Sequence, residues 1–117
     1  MSADEPRTAE PPAKFDTYQF VLLRRPPDMP VVEDDTAAKL QAQHLGHLAA
    51  MRDAGHLMSA GPLLDQSDES LRGVAIYRVG SIDEARRLAE ADPAVQAGRF
   101  VVDVMTWLTP RGEIPFS

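Results

Sequence analysis

Two apolar runs, one near each end of this chain, constrain its fold more than any other feature. They are Thr17-Tyr18-Gln19-Phe20-Val21-Leu22-Leu23-Arg24 and Phe100-Val101-Val102-Asp103-Val104-Met105-Thr106-Trp107-Leu108. Runs so rich in aromatic and aliphatic residues read as strands. A strand with one wet face alternates polar and apolar residues, and these two do so only loosely. Both faces of the sheet that they build therefore need cover.

Between them the punctuation is clear. Pro26 and Pro27 stop the first strand. A loop over 28–35 ends in Glu33-Asp34-Asp35, acidity that suits a helix N-terminus, with Asp34, Asp35 or Thr36 available as the cap. Leu40, His44, Leu48 and Met51 recur at three- and four-residue spacing, which predicts a helix over about 37–54. Gly55 can end it in a left-handed turn. His56 to Gly61 reads as a second strand stopped by Pro62, and 65–69 as a polar connection. Leu71 to Val79 reads as a third strand, with Gly73 marking a bulge or a close contact. Ser81-Ile82-Asp83-Glu84 is a capping box for a helix reaching Ala91, and Asp92-Pro93 breaks it. Beyond Pro110 the chain reads as irregular.

The order strand, helix, strand, strand, helix, strand predicts an α+β, ferredoxin-like βαββαβ fold. Its four-stranded antiparallel sheet carries both helices on one face. A domain this small has no second layer for the other face, so a second copy is the expected cover, in a two-fold homodimer. The 117 residues suit one domain. Residues 1–15 hold three prolines and several charges, and predict a flexible tail ahead of a domain over 16–117.

A net charge of -6 argues against nucleic acid or an anionic membrane as a partner. No apolar run is long enough to span a bilayer. The first residues lack the basic and apolar regions of a signal peptide. The absence of cysteine removes thiolate and disulfide chemistry. A cytoplasmic protein is expected.

All three histidines lie within residues 44–62. His44 shares the inward stripe of the first helix, where an imidazole is either a hydrogen-bonded core-edge group or a general acid/base. Asp92 is either a helix stop or the partner that orients such an imidazole. His44 and His47 are spaced for a metal, but no third ligand follows, so no metal and no cofactor are expected. His56 reads as a surface or edge residue. Arg24 and Arg25 could bind a substrate carboxylate or simply end a strand in solvent. Ser59 could offer a hydroxyl to a pocket, although no nucleophile elbow surrounds it. Tyr18 and Trp107 suit a pocket wall or a dimer interface.

The chain over residues 17–109 resembles the YCII-related family. The likeness rests on His44-Leu45 with His47-Leu48, Gly55-His56-Leu57 into Ser59-Ala60-Gly61-Pro62, Leu71-Arg72-Gly73, and Ala91-Asp92-Pro93 with Ala97-Gly98. Val104-Met105-Thr106-Trp107 adds to it. The resemblance implies a dimeric α+β barrel and a His/Asp centre, with His44 matching the family histidine and Asp92 the aspartate of its Asp-Pro motif. The activity that it implies is largely undefined: some members look lyase-like or dehydrohalogenase-like, others like auxiliary modules. Three readings follow. One is a cofactor-independent elimination or isomerisation enzyme using His44 and Asp92, with Arg24 and Ser59 as substrate-binding residues. Another is a non-catalytic ligand-binding or auxiliary dimer. The third is a cofactor-free monooxygenase.

Overall fold

A computed structural model describes residues 14–115. The expected flexible tail lies outside these residues, save for Lys14 and Phe15. The elements run β1 (Phe15–Arg24), α1 (Asp34–Asp53), β2 (Leu57–Pro62), β3 (Leu71–Tyr77), α2 (Ile82–Glu90), α3 (Pro93–Gln96) and β4 (Val101–Pro110). The sheet is antiparallel in the order β2-β3-β1-β4. The helices pack on one face, so this is the ferredoxin-like α+β fold.

Local chemistry explains most boundaries and shifts a few. α1 begins earlier than the capping residues suggest. Glu33 is its N-cap and makes no side-chain cap bond, while Asp34 and Asp35 lie inside the first turn. There their charge favours the helix dipole instead of capping a single N–H. Gly55 has φ 83°, the left-handed turn expected at the end of α1. In α2 the Ser81 side chain accepts from the Glu84 amide. Glu84 Oε1 reaches back to the amide of Gly80, one residue beyond the usual partner. Asp92-Pro93 does break α2, but it also starts a new turn: Asp92 is the N-cap of α3 and Pro93 occupies its first position.

Along each strand, alternate residues face opposite ways. The helix-covered face holds the core: Val21, Leu23, Leu57, Ala75 and Tyr77, packed against Ala85 and Ala89 of α2. The register then places Phe20, Leu22, Val74, Met105 and Trp107 on the other face. There Trp107 lies 6.1 Å from the Tyr18 ring and 6.0 Å from Phe20. Met105 remains 41% exposed and Val101 45%. The strands' only loose alternation thus corresponds to a largely apolar face that no helix covers.

At Gly73 the strands approach closely. A Cβ there would meet the Gly61 carbonyl oxygen at 3.2 Å and the Leu23 side chain at 3.5 Å. One residue away the β1–β3 register slips: Leu23 pairs with Gly73 but Arg24 with Leu71. Arg72 is the extra residue of that bulge.

Candidate active site

His44 is the buried residue of α1, 7% exposed. The helix carries it there because Leu48 and Met51, on the same stripe, pack against the core. Its Nδ1 lies 2.5 Å from Asp92 Oδ2. Asp92 is 2% exposed, and its other oxygen accepts the Ala94 amide at 2.8 Å. The Asp-Pro turn therefore clamps the carboxylate between a helix N-terminus and the imidazole. Since a carboxylate only accepts, Nδ1 carries the proton. Nε2 is left for whatever enters beside the ring.

The surroundings keep this pair dry on one side and open on the other. Phe100 leans against the imidazole, ring centroids 5.3 Å apart. Tyr77, buried in the core, has its phenol pushed up to about 12 by burial and then by the Asp92 charge. On the open side His44 lines a cavity of about 410 Å³. It runs between α1 and the edge of the sheet, past Leu23, Ala60, Gly73 and Phe100.

The remaining sequence candidates separate by sheet face. His47 donates from Nε2 to the Leu88 carbonyl at 2.9 Å, tying α1 to α2. His56 precedes β2 and is half-buried, its carbonyl accepting the Arg78 amide. Arg24 lies on the face away from the helices, its Nε 2.5 Å from Asp103 Oδ2 and its Nη1 3.7 Å from Asp68. Asp68 is held below the usual carboxylate range by the Ser70 hydroxyl and amide, with Arg24 adding to it. Ser59 pairs with Ile76 and is exposed on that same face. Neither Arg24 nor Ser59 lines the His44 cavity. Tyr18 and Trp107 also belong to that far face. Among the described residues, no three His, Cys, Asp or Glu side chains converge as metal ligands.

Among its other lining residues, Gln41, Arg52, Arg72 and Phe100 are given no site role by the sequence. Phe100 shows only as the start of an apolar run. Gly73 points to a bulge or close contact in this strand, and the slip falls beside it, but nothing local announces that Arg72 would thereby line the cavity.

Among curated proteins no sequence match is found. Among solved structures, the chain is similar to 5-chloro-2-hydroxyhydroquinone dehydrochlorinase (TftG) from Burkholderia phenoliruptrix AC1100, in complex with 2,5-dihydroxybenzoquinone. The TM-score is 0.55 at 21% identity, over 79% of this chain and 93% of that one. That likeness is one of fold. The family model of the YCII-related domain matches residues 19–108. With most of the chain inside that match, this protein belongs to the YCII-related domain family.

Proposed function

We propose that this protein is a cofactor-independent acid/base enzyme acting on a small molecule, with elimination as its reaction. The observation that carries this reading is the His44–Asp92 contact at 2.5 Å, buried behind a cavity that His44 itself lines. Asp92 holds the imidazole in the tautomer that leaves Nε2 basic and stabilises the imidazolium when it forms. Nε2 takes a proton from a substrate C–H or O–H. The freed electron pair forms the new double bond and expels a leaving group such as halide as an anion. The proton then passes from Nε2 to water. Atoms and charge balance with no redox partner.

The dehydrochlorinase of similar fold suggests the first substrate to try. Chloride release from 5-chloro-2-hydroxyhydroquinone should fall by about 10²–10⁴ in His44→Gln, the usual contribution of a positioned acid/base. 2,5-Dihydroxybenzoquinone should perturb the His44 ring nitrogen signals in NMR of the parent. Chloride release that survives His44→Gln would refute the role. A parent protein that neither binds the quinone nor releases chloride would rule out this substrate and move the same His44→Gln comparison to other small molecules.

We also propose that two copies pair through the bare face, in the cytoplasm. The apolar set Phe20, Leu22, Met105 and Trp107 supports the pairing, and the cysteine-free sequence suits the compartment.

A further inference from the structure

A second cavity, of about 260 Å³, adjoins the first. The two share Gln41, Arg72 and Phe100 as a common wall. Arg25 and Arg99 join Arg72 around the second cavity, and no Asp or Glu lines it. This is unexpected for a chain with a net charge of -6. Chance would scatter carboxylates among the arginines, as happens elsewhere on the molecule: Arg24 meets Asp103, Arg86 meets Asp83, and Arg87 faces Glu84.

Each of the three arginines is placed by a specific backbone feature. Arg25 follows the end of β1, where its amide bonds the Ser70 carbonyl. Arg72 is the extra residue of the β3 bulge, a device that re-aims a side chain. Its Nη1 reaches the Glu69 carbonyl at 3.3 Å. Arg99 follows Gly98, whose φ of 79° and close approach to Pro30 favour glycine. Its Nη1 reaches the Pro30 carbonyl at 3.3 Å. Among the described residues none of the three has a carboxylate partner, and each guanidinium has five N–H donors. Arg25 and Arg72 are exposed and Arg99 is half-buried at the cavity wall, so their remaining donors are open to an incoming anion.

We propose that the two cavities form one groove for a small organic carboxylate, with Arg72, flanked by Arg25 and Arg99, holding the carboxylate. The reacting end of the ligand then lies beside His44, across Phe100. This rests on the acid/base reading of His44 for the reaction, but the anion site itself stands on the arginines alone. A guanidinium fork matches a carboxylate with two parallel hydrogen bonds. The aromatic wall of Phe100 suits a planar or apolar body between the two ends.

Benzoate and its neutral isostere benzamide, titrated into ¹⁵N-labelled full chain, separate the possibilities. Benzoate should bind about tenfold or more tightly than benzamide, the worth of hydrogen bonds to a charged group. Arg72→Gln should erase most of that preference and leave benzamide unchanged, with the Arg Nε–H signals of Arg25 and Arg99 shifting in the parent. Arg24→Gln, on the other face, should leave both affinities alone. Equal affinity for the two probes, no saturable benzoate shift, or equal losses in Arg24→Gln and Arg72→Gln would each overturn the site. The titration reads the charged contact alone and requires no turnover at His44. A failure of the elimination chemistry would therefore leave this result standing, and a failure of the anion site would leave the chemistry standing.

Discussion

The two faces of the sheet differ in kind. One is covered by helices and holds the core, the His44–Asp92 pair and the arginine-lined cavities. The other carries aromatic and aliphatic residues and ion pairs satisfied within the face, such as Arg24 with Asp103. Arg24 and Arg25 are neighbours in sequence yet serve these two faces differently. A carboxylate on β4 neutralises the first, while the second remains without one beside a cavity. A charge left unspent near a concave surface is a stronger pointer to a ligand than the same charge already paired across a strand.

If the helix-covered face carries the stability, truncating its core should cost most. Leu57→Ala removes a side chain 2% exposed and should lower the unfolding free energy by about 2–5 kcal/mol. Urea denaturation monitored by far-UV circular dichroism would measure it. A loss no larger than that of a bare-face truncation such as Met105→Ala would erase the distinction between the faces.

The bare face should show itself in assembly. Sedimentation of the parent at micromolar concentration should give a dimer, and Met105→Lys should shift it toward monomer by placing a charge among apolar side chains. The fold of the mutant, read by circular dichroism, should persist. A parent that sediments as a clean monomer would leave that face without its proposed partner.

The smallest effect expected is confined to alkaline pH. Burial, and then the Asp92 charge, push the folded Tyr77 phenol up from its ordinary value of 10.0 to about 12. The folded state therefore holds this proton longer than the unfolded chain. The contribution to stability is complete below about pH 10 and is lost as the pH rises toward 12. Tyr77→Phe should flatten the fall in stability across that window. An equally steep fall in the variant would assign the loss to groups other than the buried Tyr77 phenol.

Much of this fold is legible in local chemistry. The prolines at 26, 27 and 62, the glycine at 55 and the Ser81 cap punctuate the chain, and the strand–helix order then admits few topologies. His44 was readable from its place on an apolar helix stripe, and Asp92 from the Asp-Pro turn. Each reading left a purely structural alternative, because a stripe or a turn says nothing about what lies 48 residues away. Only the packing of α1 against α3 brought Nδ1 to the carboxylate. The cationic cavity was less legible still. Arg24 drew attention as a strand-end cation, but the cross-strand register handed it Asp103, while a one-residue slip at Arg72 left a different arginine on the wall of the cavity that His44 lines. Composition and periodicity are local and determine elements, caps and breaks. Register, bulges and helix docking are long-range, set by the whole core at once, and they alone decided which charges are satisfied and which are left beside a cavity.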